Sequence, residues 1–140
     1  MICACTLQAT ATGKQPRLTD DELMTLVQKQ TFRYFWDFAH PESGLARERS
    51  NDRLEIATIG GSGFGVMAII VGVERGFITR EQGAERLLKI VEFLNKADSY
   101  HGIWAHWMDG ATGKTIPFSR KDDGADLVLS LIHISEPTRH

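Results

Sequence analysis

Cysteine is nearly absent: the 140-residue chain has two, Cys3 and Cys5, both ahead of any periodic segment. Thiols so close together cannot staple a fold, and no histidine lies nearby to complete a metal site with them. A surplus of positive charge is also missing. Sixteen Lys and Arg against eighteen Asp and Glu give a formal net charge of -2, with no basic stripe to neutralise a phosphate backbone, so nucleic acid is excluded as a partner. No apolar run is long enough to span a membrane, since residues 66–73 include Gly72 and lead into Glu74 and Arg75. Nucleotide motifs are incomplete as well. Gly61, Gly63 and Gly65 alternate where a dinucleotide loop needs G-x-G-x-x-G, and Val66 stands at the third glycine. Gly113, Lys114 and Thr115 look like the end of a phosphate loop, but Met108 occupies the first glycine position and Pro117 would break the following helix.

What remains is an ordinary globular composition, 42% hydrophobic and 24% charged, enough for one domain with a modest core and suited to small or neutral ligands. The opening "MICAC" resembles the end of a bacterial lipoprotein signal, with Ile2, Ala4 and a lipid-accepting Cys5, although the basic and apolar regions that precede such a site are not there. That resemblance implies a periplasmic or outer-membrane lipoprotein whose membrane contact runs through the N-terminal lipid alone; the alternative is an ordinary disordered start with two reduced thiols. Residues 6–17 then form a polar tether.

Helix signals begin at "TDDE", where Thr19 and Glu22 make a capping box and acidic residues fill the first turn. Leu23, Leu26, Val27, Tyr34, Phe35 and Phe38 recur at helical spacing until His40 and Pro41. A second helix is expected to open near Ser62. It is apolar on almost every face and ends at Gly76, so it must be buried. Thr79 and Gln82 form another capping box ahead of an amphipathic helix, with Ala84, Leu87, Leu88, Val91, Leu94 and Ala97 on its apolar face. Outer, inner and outer helices in succession predict layered helical packing.

From Tyr100 the period changes to two. Ile103, Ala105 and Trp107 alternate with Trp104, His106 and Met108, and "DGATG" then leads to Thr115, Ile116 and Phe118, which predicts a short hairpin or ordered loop over 101–118. Trp104, Trp107 and His106 are candidates for an apolar platform with a polar tip on which a sugar ring lies; the alternative is loop aromatics packed on the helices. Three carboxylates follow in five residues. If a helix begins near Asp122, then Asp122 and Asp126 share one face and their ionisations split, as an acid and base pair in a glycosidase requires. A Ca²⁺ or Mg²⁺ site and simple helix capping are the alternatives.

The segments "TFRYFWDFAHPESGLARERSN", "TIGGSGFGVMAIIVGVERGFITREQGAERLLKIVEFLNKAD" and "WAHWMDGATGKTIPFSRKDDGADLV" resemble the N-terminal part of the bacterial glycoamylase-like family, which includes endo-β-1,2-glucanases. The match runs nearly continuously over 19–128. It implies an all-α fold, an incomplete (α/α)6 toroid, with no cofactor and an oligo- or polysaccharide substrate. In the family, two aspartates and a glutamate project together. Asp122 and Asp126 match the aspartates as catalytic candidates; Asp123 joins Trp104, His106 and Trp107 as substrate-binding candidates. The family's glutamate falls on Leu129, and a threonine follows it. Residues 129–139 resemble an in-frame translation of a transposon adapter used in sequencing libraries; a diverged natural C-terminus is the alternative. The expected organisation is therefore a truncated lipoprotein-type signal and tether over 1–18, a partial catalytic domain over 19–128 and a non-native tail over 129–140. An inverting endo-β-1,2-glucanase is the function implied. A glucoamylase-like hydrolase of another glucan and a non-catalytic carbohydrate-binding lipoprotein are the alternatives.

Overall fold

The structure is a computed structural model that describes residues 17–51, 53–121 and 124–135, with side chains through 131. Helix α1 spans Asp20–Trp36 and begins with both halves of the expected capping box: Thr19 Oγ1 accepts from the Glu22 amide and the Glu22 carboxylate accepts from the Thr19 amide. It ends at Trp36, four residues short of the expected stop, because Asp37 caps it and bonds Arg33 across the last turn at 2.8 Å. Strand β1 (Ile56–Thr58) leads directly into α2 (Ile59–Glu74). Helix α3 (Arg80–Leu94) starts with the second expected capping box, Thr79 with Gln82.

Helix α2 lies between the others, and its small residues set the approach. A Cβ on Gly72 would collide with the Phe32 ring of α1, and one on Gly83 of α3 would sit 2.7 Å from Val73 Cγ2. Phe32 stacks on Trp36 with ring centroids 5.6 Å apart. Arg86 of α3 lies over Trp36 and donates to its carbonyl at 3.2 Å, closing α1 against α3. The core is Leu45, Ala57, Ile59, Ile69, Ile90, Leu94 and Met108, drawn from helices and strands alike.

Two expectations about helix faces need correction. Leu23, Leu26 and Val27 are exposed, because only the C-terminal half of α1 rests on α2. On α3, the buried line is Gly83, Ile90 and Leu94 with Leu87 partly covered, while Leu88 and Val91 face outward; the apolar stripe is rotated toward Gly83, where α2 comes closest. Helix α2 also opens at Ile59, one turn earlier than expected near Ser62. Ser62 Oγ donates to Thr58 O at 2.6 Å and accepts from the Ala46 amide at 2.9 Å, tying the helix mouth to the preceding loop.

The described residues are not purely helical. Strands β4 (Trp107–Asp109) and β5 (Thr115–Ile116) form the expected hairpin, but β1 pairs antiparallel with β4 on its other edge, giving the order β1-β4-β5. Strands β2 (Ser99–Tyr100) and β3 (Ile103–Trp104) make a second small hairpin. Asp109 fixes the turn between β4 and β5: its Oδ1 accepts from the Ala111 and Thr112 amides at 3.1 and 2.7 Å, and Gly113 completes the reversal at φ +73. Helix α4 (Leu127–Ser135) returns to pack on α2. None of the described helices is long and apolar enough to cross a membrane.

Candidate active site

Paired residues of a sheet share a face, so Ala57 and Met108 both turn inward to the core while Trp107 and Ile116 lie on the opposite, outward face. Phe118, just beyond β5, folds over that outward face. Its ring centroid lies 4.7 Å from that of Trp107 and 4.4 Å from that of His106. The three rings form an aromatic wall, partly exposed to solvent.

Asp126 stands at the edge of this wall. His106 Nδ1 and Asp126 Oδ2 are 3.0 Å apart, and Asp126 Oδ1 accepts from the Leu129 amide at 3.1 Å. The carboxylate therefore caps the first turn of α4 and binds the imidazole at once. Its backbone is also held, since the Asp126 amide donates to Trp104 O at 2.8 Å and Ala125 bridges Ala105. Burial alone would raise the Asp126 pKa. The Leu129 amide, His106 and the Val128 amide outweigh it and hold the group below the ordinary aspartate value of 3.8.

A second charged group comes from the loop between α1 and β1. The Glu48 amide donates to Ile56 O at 2.9 Å, placing the residue beside β1. Its carboxylate is held below the ordinary glutamate value first by a hydrogen bond from Arg49, then by the charges of Arg49, Arg53 and His106. Tyr34 anchors the same loop, donating to Arg47 O at 2.9 Å. Next to it His40, almost fully buried, pairs through Nε2 with Glu55 at 3.0 Å and accepts the Glu42 amide on Nδ1 at 3.3 Å.

Of the residues singled out in the sequence, Asp126, His106 and Trp107 come together. Asp122, Asp123 and Cys5 lie outside the described residues. The expectation that a helix begins near Asp122 does not hold at its far end. Asp126 precedes α4, and the Ala125 bridge keeps the segment just before it in a strand-like position. Trp104 joins a different group: it packs on the core and its Nε1 donates to Leu94 O at 3.2 Å. Phe118 and Glu48 were missed. Phe118 had a readable signal, standing two residues after Ile116 in a period-two segment. Glu48 had none, because its neighbour in space comes from a strand with no propensity signature of its own. A groove of about 540 Å³ lined by Asp98, Tyr100, Ile103, Ala105, Thr115 and Ala125 opens beside the Ala105–Ala125 bridge, and none of Asp126, His106 or Trp107 lines it.

No family model matches the chain. A curated relative, an exo β-1,2-glucooligosaccharide sophorohydrolase (non-reducing end) from Parabacteroides distasonis, is 54% identical over 112 residues, which are 79% of this chain and 16% of that protein. Among solved structures, a Bacteroides uniformis protein with a provisional assignment as a glucoamylase is 79% identical with a TM-score of 0.82, over 84% of this chain and 29% of its own. An endo-β-1,2-glucanase from Chitinophaga pinensis, in complex with sophorotriose and glucose, is 53% identical with a TM-score of 0.80, over 84% and 30%. The described backbone thus follows one part of glucoamylase-like and β-1,2-glucanase structures, and the chain spans less than a third of each.

Proposed function

We propose that the chain is part of a glycoside hydrolase that cleaves β-1,2-linked glucan by inversion. The observation that carries this reading is the Asp126 carboxylate paired with His106 at the edge of the Trp107–Phe118 wall. An apolar ring surface beside an oriented carboxylate suits a sugar ring: the C–H face lies on the aromatics and the polar edge meets the acid. The likeness to proteins named for β-1,2-glucan chemistry supports the linkage. Their folds are α/α toroids, and the order outer α1, inner α2, outer α3 fits a piece of such a ring. Asp122 and Asp123, just before the pair in sequence, stay in the proposal as catalytic and substrate-binding candidates.

The proposal also puts a glutamate at position 129 and a threonine at 130 of the parent protein. Leu129 faces Gly60, at the amide-rich mouth of α2, where a carboxylate is favoured. Ser130 is buried and its hydroxyl accepts the Trp104 amide at 3.0 Å, a bond that a threonine hydroxyl keeps. Resequencing the locus across codon 129 checks this, and a genomic leucine there refutes it. At the N-terminus the reading keeps a lipid on Cys5, to be sought by mass spectrometry of the membrane fraction. The activity test is product chromatography with the full-length parent on β-1,2-glucan and on an α-1,4-glucan. Shorter oligosaccharides from the first are expected. Release only from the second supports a glucoamylase-like hydrolase, and binding without release supports a carbohydrate-binding module.

A further inference from the structure

Asp126 has two oxygens and each is already engaged on one side. Oδ1 takes the Leu129 amide at 3.1 Å, and Oδ2 lies 3.0 Å from His106 Nδ1. An ionised carboxylate has about four acceptor positions, so with the Leu129 and Val128 amides and His106 counted one remains for another donor, and the side chain is 26% exposed. An ionised carboxylate only accepts, so Nδ1 must carry the proton of that bond. His106 is itself fixed: its ring leans on Phe118, and its carbonyl accepts the Ile59 amide at 3.2 Å.

We infer that His106 is a positioning residue for Asp126, holding Oδ2 through Nδ1–H while the first turn of α4 holds Oδ1, so that Asp126 serves as the base and another group donates the proton. The inference rests on the glycosidase reading for the reaction it names. In that reaction Asp126 takes a proton from the attacking water as the water oxygen bonds to the anomeric carbon. The separate acid protonates the departing glycosidic oxygen as its bond to that carbon breaks. A carboxylate stabilised in its charged form by three donors stays ionised at neutral pH, so it has no proton to deliver and is present in the form a base requires. The depressed Asp126 value agrees with this. The other charged groups near His106 are Glu48, from the loop beside β1, and the Arg49 and Arg53 that act on it. The described residue with charge nearest in sequence on Asp126's own segment is Lys121.

The test is nuclear magnetic resonance on the full-length parent protein with no glucan present, which does not depend on hydrolysis. The Asp126 side-chain carboxyl ¹³C signal, assigned by its loss in Asp126→Asn, is followed against pH in the unsubstituted chain and in His106→Leu and His106→Asn. The expected midpoint is below that of an ordinary aspartate, moves up in His106→Leu, and returns toward the starting value in His106→Asn, whose amide can replace Nδ1–H. An ordinary midpoint in the unsubstituted chain, or one that His106→Leu leaves in place, overturns the inference. Equal shifts in the Leu and Asn variants also overturn it, because a merely structural loss would not distinguish them. Should the variants fail to fold, long-range ¹H–¹⁵N spectra of the unsubstituted chain decide: Nδ1–H on the neutral His106 ring supports the inference and Nε2–H with a bare Nδ1 defeats it. A parent enzyme that fails to cleave glucan while Asp126 behaves as expected removes the glycosidase reading and leaves the positioning contact standing.

Discussion

Asp126 combines two duties that are usually separate, capping a helix and presenting a carboxylate to an open face. The capping alternative and the catalytic one are therefore not exclusive. They make a selective experiment possible, because asparagine caps a helix about as well as aspartate. Asp126→Asn keeps the acceptor for the Leu129 amide and removes the charge and the base. In the full-length parent it should lower turnover by at least about 10²-fold, the low end for loss of a general base, with little change in thermal midpoint. Turnover equal to the unsubstituted enzyme would take Asp126 out of the chemistry. The 140-residue chain itself should show no measurable hydrolysis of β-1,2-glucan, since water and sugar must both be oriented and one oriented carboxylate cannot do that alone.

Between elements, the contact that fixes α1 against α2 is Phe32 over Gly72. Gly72→Ala gives α2 a better helix former but forces its methyl into the Phe32 ring. The loss from overpacking, about 1–3 kcal/mol, should win; urea unfolding would read it, and a rise in stability would mean that α1 shifts freely. The β4–β5 hairpin has a different weakness. Lys114 pairs with Asp98 at 2.9 Å and Thr112 donates to Asp109, and both aspartates lie below the ordinary value of 3.8, Asp98 chiefly through Lys114 and Asp109 chiefly through the Thr112 amide. Groups depressed on folding stabilise above their unfolded pKa and lose that contribution as pH falls through the folded one. Near-ultraviolet dichroism from Trp104 and Trp107 should therefore be flat from neutral pH to about pH 4 and decline below it. A loss between pH 7 and pH 5 would point to histidine instead.

These elements also mark what was legible in the sequence. The capping boxes Thr19–Glu22 and Thr79–Gln82 and the Asp109 turn are local, and each was readable because its partners lie within a few residues. Strand β1 was not readable: three residues have no period, and Ile56–Thr58 becomes a strand only because β4 and the 46–48 segment lie on either side of it. The same distance in sequence hid the pairing of His106 with Asp126, whose residue types were noticed separately. The acidic cluster suggested a helix start near Asp122, five residues before α4 begins at Leu127, because spacing cannot register the bridge between Ala105 and Ala125.

For the whole molecule, the exposed side of α2 matters most. Phe64, Met67, Ile70 and Val71 lie at helical spacing and are 63, 41, 49 and 42% exposed, so the helix expected to be buried keeps one apolar stripe uncovered. Leu88 and Val91 of α3 and Leu127 and Val128 of α4 add further apolar surface. Surface of this kind drives association or loose packing in water. The isolated 140-residue chain should bind a hydrophobic dye and elute larger than a monomer on gel filtration. A monomer with a cooperative thermal transition and no dye binding would show that the packed half is sufficient.

The pairing of β1 with β4 joins position 56 to position 109, with both long helices α2 and α3 lying between them in the chain. The α2–α3 hairpin is local and can form as soon as its residues meet, whereas the sheet must wait for that whole loop to close. His106, Trp107 and Phe118 are carried on the late-closing side, and Glu48 on the strand-like segment it must meet. By loop length alone the scaffold is expected to assemble before the groups that would do the chemistry. A chain caught partway through folding would have its helices in place and its aromatic wall still open.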